Sequence, residues 1–330
     1  MIIVSKCPCR ISLIGGSSDL DWFVNKKGRG FSIGFAVSSY SRVIIGFRGG
    51  NNSRGLLNYS SREEYLSIDS ISHPIIRKCL QKFDFREPIE LASFGESMLG
   101  GGLASSSSFV VALIKSLTKL KNEELSNEEI AKLACSIEFD ESNGATGRQD
   151  QYLCALGGVN FLSFKKNGIV KIKNYPIVSE AICKYCEEIY LINTSISRSA
   201  QEQLTLIKND PDSYFCIEKI LDIAEGFIDE VKDIKDVNSI IKKLEIAIRK
   251  SWEIKKNMKG VLNSKLKDIQ TLLIEKDFDI IKILGAGGGG YFLAKYKGKN
   301  IENITKELTV KNIFIKKIPI DLYGCQSWEI

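Results

Sequence analysis

The residues best suited to chemistry in this chain are small ones, gathered in three clusters. They are Pro8-Cys9-Arg10-Ile11-Ser12-Leu13-Ile14-Gly15-Gly16-Ser17-Ser18-Asp19-Leu20, Gly100-Gly101-Gly102-Leu103-Ala104-Ser105-Ser106-Ser107-Ser108, and Gly285-Ala286-Gly287-Gly288-Gly289-Gly290. The second runs directly into Phe109-Val110-Val111-Ala112-Leu113-Ile114, whose lack of alternation reads as a buried helix over 105–117. Glycines without a Cβ let a phosphate approach the backbone. The first turn of the following helix offers unpaired N–H groups and the positive end of its dipole. Serine hydroxyls there can donate to phosphate or ligate Mg²⁺. The plainer alternative is a flexible loop with serine N-caps, but three glycines and four serines exceed what capping needs. The motif G-x-x-x-x-G-K-[ST] is absent, which excludes a Walker-type NTPase. The third cluster matches G-x-G-x-x-G at Gly285, Gly287 and Gly290, yet it leads into Tyr291-Phe292-Leu293-Ala294, a strand. A dinucleotide fingerprint needs a helix there. What remains is a tight, closely approached turn, structural or functional.

Two carboxylates and one arginine complete the set. Ser126-Asn127-Glu128-Glu129 is a capping box, opening a helix with Ile130, Leu133, Ala134 and Ile137 in one stripe. Glu138 falls beside that stripe. It is either a core-edge carboxylate in want of a partner, such as a cation, or a partly exposed helix-end charge. Asp150 follows in Gly147-Arg148-Gln149-Asp150-Gln151-Tyr152 and by itself is unremarkable. Ser195-Ile196-Ser197-Arg198-Ser199 runs into a second capping box, Ser199 with Glu202. Hydroxyls, an arginine fork and helix N–H groups there make a second anion site, or else a capped surface helix with a solvated Arg198.

The elements that must position these groups are of mixed type. Strands are expected over 6–14, 30–47, 89–93, 159–164, 189–193, 280–284, 291–296 and 313–318. Further helices are expected over 199–208, 213–231, 237–257 and 261–275. No regular strand-helix alternation runs through them, so the fold class is α+β. The 330 residues are 44% hydrophobic and 26% charged, enough to bury a sizeable core in one large or two ordinary domains. A net charge of +6 is too mild for nucleic acid and suits an anionic small molecule. The single histidine, His73, excludes a multi-histidine metal site, and His73-Pro74 reads as a turn. Nine cysteines, with Cys183-x-x-Cys186 lacking a second pair, read as reduced thiols of a cytoplasmic protein. No apolar run approaches the roughly 18 residues of a membrane span. The opening Met1-Ile2-Ile3-Val4-Ser5-Lys6 is too short for a signal peptide.

Taken together the motifs resemble those of the GHMP kinase superfamily, which includes galactokinase, homoserine kinase and mevalonate kinase. Pro8, Arg10, Leu13, Gly15 and Asp19 are similar to its P-x-R-x-x-L-x-G with a downstream Asp. Gly102-Leu103-Ala104-Ser105-Ser106-Ser107 is similar to G-L-G-S-S-A, and the run from Gly285 to G-A-G-G-G. Within the superfamily the chain most resembles the D-glycero-D-manno-heptose 7-phosphate kinases. That likeness lies at Gly15-Gly16 with Asp19-Leu20, at Gln149-Asp150-Gln151-Tyr152 with Gly157-Gly158-Val159-Asn160-Phe161, and at Ile196-Ser197-Arg198-Ser199-Ala200. Met98-Leu99, Ala104 and Ser17-Ser18 depart from the family pattern.

The resemblance implies a two-domain fold: an ATP-binding domain over 1–180, like domain 2 of ribosomal protein S5, and a ferredoxin-like domain over 181–330. It implies ATP against Gly100, Gly101, Gly102, Leu103, Ala104, Ser105, Ser106 and Ser107, with Mg²⁺ on Ser106 and Glu138. Asp150 and Arg10 would be catalytic. Asp19, Gly16, Ser17, Arg198, Gly287 and Gly288 would bind substrate. The implied reaction is phosphorylation of the anomeric hydroxyl of a sugar phosphate. The alternatives are a free-sugar kinase of fucose or galactose type and a non-catalytic sugar or nucleotide sensor. Neither a nucleic-acid nor a membrane partner is expected, and the oligomeric state is open.

Overall fold

The opening strand shows in its burial where the molecule is thick. In β1 (Ile2–Ile14) exposure alternates up to Lys6 and then stops, because both faces of its second half are covered. A computed structural model describes residues 1–49, 54–96, 101–141 and 146–330. After β1 come α1 (Asp21–Lys27), β2 (Arg29–Phe47), β3 (Gly55–Asn58), β4 (Arg62–Tyr65), α2 (Pro74–Lys82), β5 (Ile89–Gly95), α3 (Ser105–Leu120), α4 (Asn127–Glu141) and α5 (Gln149–Leu156). Then follow β6 (Val159–Lys165), β7 (Ile169–Lys173), α6 (Pro176–Cys186), β8 (Ile189–Asn193), α7 (Ala200–Asn209), α8 (Ser213–Val231), α9 (Val237–Lys255) and α10 (Ser264–Glu275). The chain ends with β9 (Phe278–Ile283), β10 (Tyr291–Tyr296), α11 (Ile301–Val310), β11 (Phe314–Lys316) and β12 (Gln326–Glu329).

Two sheets organise these elements. The larger has the order β12-β1-β2-β5-β3-β4, with β6 beside the first half of β2 and β7 beside β6. The smaller is antiparallel, in the order β11-β8-β10-β9. This is the expected α+β class. One core joins the large sheet to α3, α4 and α5. The other joins Ile11, Leu13, Ile33 and Phe35 of the large sheet to α6, α8, α9 and the small sheet. β1 is thus enclosed from both sides, and its residues reach both cores. α6 runs through the expected boundary at 180/181, and β12 returns the end of the chain to the first sheet. No helix among the described residues is long and apolar enough to cross a membrane.

His73 does more than turn the chain. It caps α2, its Nδ1 accepting from the Ile76 N–H at 3.4 Å, with Pro74 in the first turn. Burial lowers its pKa. That places it in a structural role beside the rings of Tyr59 and Phe109.

The second and third glycine clusters meet backbone to backbone. The Tyr291 N–H donates to the Gly101 carbonyl at 3.1 Å. A Cβ on Gly290 would stand 2.2 Å from that same oxygen, and one on Gly102 would stand 2.6 Å from the Leu284 oxygen. Both residues also have left-handed φ, +89° and +85°. Glycine is required here because the loop entering α3 lies directly on the β9–β10 turn. Gly290→Ala should therefore lower the unfolding free energy by at least about 2 kcal/mol, since left-handed strain alone costs roughly 1–2 kcal/mol before the clash is relieved. Denaturant titration of parent and variant measures it; an unchanged midpoint would mean that the two backbones are not in contact.

Candidate active site

A cleft of about 390 Å³ opens where the end of β1, the first turn of α3 and the start of α5 face residues from α9 and the β9–β10 turn. Arg10 is one of the residues that line it. The side chain leaves β1 buried, with 4% exposure, and forks. Nε donates to Asp150 Oδ1 at 2.7 Å and Nη2 to Oδ2 at 2.6 Å, while Nη1 donates to the Gly102 carbonyl at 2.7 Å. The Arg10 backbone N–H adds a bond to the Leu103 carbonyl at 3.0 Å. Burial alone would lower the pKa of Arg10, but the Asp150 carboxylate more than offsets it, so the guanidinium stays charged. Asp150 is in the first turn of α5, where a helix dipole favours an anion. Its side chain keeps 29% exposure against 5% for that of Arg10, so the carboxylate remains reachable from the cleft.

Asp19 follows the Gly15–Ser18 turn and is 2% exposed. Oδ2 accepts from the Gln149 N–H at 3.0 Å and Oδ1 from Gln149 Nε2 at 2.8 Å. A Cβ on Gly147 would fall 1.9 Å from Asp19 Oδ2, which explains the glycine. Burial, and next the charge of Asp150, push the Asp19 carboxyl up to about 6 against the pull of these bonds and of Arg10. Gln149 also lines the cleft, and its Oε1 is buried with no hydrogen-bond partner. Asp19 lines the cleft as well, and each of its oxygens can accept a further bond.

Glu138 projects from α4 with 8% exposure. Oε2 accepts from Gln151 Nε2 at 2.5 Å; Oε1 accepts from Ser107 Oγ at 3.2 Å and, weakly, from Ser106 Oγ at 3.5 Å. Burial raises it to about 7, with Asp150 adding and the amide and hydroxyls opposing. A buried carboxylate beside hydroxyl oxygens, with no cation paired to it among the described residues, suits a hard divalent ion. Among the described residues no group of three or more His, Cys, Asp or Glu side chains could hold a metal, so phosphate and water oxygens would complete the shell.

The remaining expected residues divide. Gly16, Ser17, Gly102, Ala104, Ser105, Ser106, Ser107 and Arg198 line the cleft. Ala104 caps α3 at φ +58°, a conformation that glycine adopts without strain. Gly101 and Leu103 take the supporting backbone contacts described above, and Gly100 lies outside the described residues, as do Met98 and Leu99. Gly287 and Gly288 are absent from the cleft wall. The Gly288 N–H donates to the Val261 carbonyl at 2.8 Å, and a Cβ on Gly287 would lie 2.7 Å from Val261 Cα. They pack against the turn before α10. Arg198 Nε and Nη1 are buried without partners, and burial, then Arg10, lower its pKa to about 10. Ser199 caps α7, accepting from the Glu202 N–H at 3.2 Å, but Ser195 turns away and donates to the Asn312 carbonyl at 2.8 Å.

Residues 71–158 match the family described as GHMP kinases N terminal domain. Over that stretch the chain is similar to the GHMP kinases. It is 27% identical to the D-glycero-alpha-D-manno-heptose 7-phosphate kinase of Campylobacter jejuni, over 99% of each chain. It is 28% identical to the mevalonate kinase of Pyrococcus abyssi, over 75% of this chain and 70% of that one. In structure it is similar to a D-glycero-D-manno-heptose 1-phosphate kinase from Bacteriodes thetaiotaomicron, with a TM-score of 0.75, 20% identity and 99% of each chain covered. A GHMP kinase is an ATP-dependent phosphotransferase with a hydroxyl group as acceptor.

Sequence reasoning missed two residues of this kinase's cleft. Lys255, at the end of α9, donates through Nζ to the Gly285 carbonyl. Burial, then Arg10 and Arg198, lower its pKa to about 8. A lysine in a last helical turn carries no signal beyond the dipole. Gln149 was visible only as an amide beside Asp150.

The two raised carboxyls set a pH dependence. A folded-state pKa above the unfolded value means that the folded state binds the proton more tightly. The stability is then fully present below the unfolded value and falls as pH rises through the folded one. For Asp19 the window runs from 3.8 to about 6, which is worth about 3 kcal/mol. Asp19→Asn should therefore gain on the parent by up to about 3 kcal/mol as pH rises from 4 to about 6.5, read from unfolding curves without Mg²⁺. A difference between the two proteins that does not change with pH would contradict the buried, proton-holding Asp19.

Proposed function

We propose that this kinase transfers the γ-phosphoryl group of ATP to the anomeric hydroxyl of a sugar phosphate, D-glycero-D-manno-heptose 7-phosphate, giving the 1,7-bisphosphate. The observation that carries the reading is the Arg10–Asp150 pair: a reachable carboxyl group held in bidentate geometry in the same cleft as the serine turn of α3. Likeness along the whole chain to a heptose 7-phosphate kinase supports the choice of sugar.

In this reading the N–H groups of the first turn of α3, with Ser105, Ser106 and Ser107, bind the nucleotide phosphates. Ser106 and Glu138 would hold Mg²⁺, which supplies neutralisation of phosphate charge when bound. Asp150 accepts the sugar hydroxyl proton as that oxygen bonds to the γ-phosphorus. The bond from the γ-phosphorus to the β–γ bridging oxygen breaks, and ADP leaves with its electron pair. Arg10 orients Asp150 through its two hydrogen bonds and shares the charge that develops on the phosphoryl oxygens. Asp19 orients the sugar hydroxyls, together with Gln149, whose Oε1 accepts from one of them, and with Gly16 and Ser17 beside them. Gly287 and Gly288 support the wall behind Arg198. Residues 1–180 form the nucleotide-binding unit and 181–330 the second, apart from β12. Alignment and charge neutralisation are what phosphoryl transfer chiefly requires.

ADP release with heptose 7-phosphate, free heptose, galactose and fucose tests the reading. The phosphorylated heptose should be preferred, and Asp150→Asn should slow turnover by about 10²–10⁴ with ATP binding intact. Equal efficiency on free sugars would replace the reading with a free-sugar kinase. Turnover within a few-fold of the parent would remove Asp150 as the base.

A further inference from the structure

Among the described residues three cations line the cleft, Arg10, Arg198 and Lys255, and one of them is paired. Arg10 is bound to Asp150. Among the described residues neither Arg198 nor Lys255 forms an ion pair, and two guanidinium nitrogens of Arg198 are buried with no partner at all. Both flank one residue, Gly285. Lys255 Nζ donates to its carbonyl, and Arg198 Nη2 lies 3.4 Å from where its Cβ would be. Arg198 Cδ lies 3.3 Å from a Cβ position on Gly288. Holding two unpaired cations side by side in a half-buried wall costs free energy, and burial, then the charges of Arg10 and Arg198, lower the pKa of Lys255. An anion between them removes that cost.

We propose that Arg198 and Lys255 together form a subsite for a phosphate monoester dianion against the Gly285 turn, separate from the nucleotide site. A planar fork beside a point-charge ammonium suits a tetrahedral dianion better than a single carboxylate. In the function proposed above, the nucleotide phosphates take the first turn of α3, with Ser105, Ser106 and Ser107. Lys255 and Arg198 come from the opposite wall, on α9 and before α7. That the dianion is the phosphate already carried by the sugar rests on the function proposed above; a nucleotide phosphate is the other source of the same chemistry.

The test uses inorganic phosphate as probe, with the nucleotide site saturated by a non-hydrolysable ATP analogue. The parent should still bind phosphate, and phosphate should compete with the sugar phosphate but not with ATP. Lys255→Met should weaken both phosphate binding and kcat/KM for the sugar phosphate by ten- to a hundred-fold. Its kcat/KM on a free sugar should move less than about three-fold, Lys255→Arg should restore most of the loss, and Arg198→Ala should behave like Lys255→Met. Phosphate binding abolished by the analogue, or equal losses on phosphorylated and free sugars, would overturn the subsite and assign both cations to the transferred phosphoryl group. Phosphate binding that needs Arg198 and Lys255 in an enzyme with no preference for sugar phosphates would uphold the subsite and overturn the substrate reading instead.

Discussion

The Arg10 guanidinium joins three pieces of chain that lie far apart in sequence. One edge clamps Asp150 at the start of α5, and the remaining arm takes the Gly102 carbonyl of the loop that enters α3. Its own backbone, in β1, reaches Leu103 of that same loop. A buried arginine is tolerable only if its charge is answered and its donors are used; here the answering carboxylate is Asp150, the proposed base. The strand, the glycine-serine loop and α5 therefore cannot shift independently, and the distance from Asp150 to the loop that enters α3 is set by one rigid, planar group.

Around that group the cleft keeps more buried charge than a stable core would. Asp19 and Glu138 are pushed up by burial, to about 6 and about 7. Lys282 reaches from β9 beneath the end of β1 to the carbonyls of Ser12 and Leu13, where burial drives its pKa down. That lysine ties the small sheet to the strand that carries Arg10. The interleaved glycines of residues 101–102 and 285–290 make a second tie, backbone on backbone. Charges and close approaches of this kind are costly to a core and useful to a site that must receive a highly charged ligand.

Much of this was legible in the sequence, and the failures have physical causes. α8 and β10 were expected over 213–231 and 291–296, and the structure has those bounds, because each is a long or strongly apolar segment with clear ends. α10 starts at Ser264 rather than 261 because Asn263 caps it, accepting from the Leu266 N–H at 3.0 Å, while Val261 supports the glycine turn. α2 was hidden because His73-Pro74 reads as a turn when Pro74 in fact opens a helix. At the site, Arg10, Ser106, Glu138 and Asp150 were found by motif and converge in space. Lys255 and the free oxygen of Gln149 were not, since their meaning comes from Gly285 and Asp19, which only the fold brings near. Motif order had placed Gly287 and Gly288 with substrate; their contacts are with Val261.

The central claim is that Arg10 and Asp150 act as one unit. A double-mutant cycle read by single-turnover phosphoryl transfer tests it most directly, with Arg10→Met, Asp150→Asn and the double variant under saturating ATP and sugar phosphate. If the pair is a unit, the double variant falls no further than the worse single variant, within a few-fold. Losses that multiply would show two independent contributions and contradict the account.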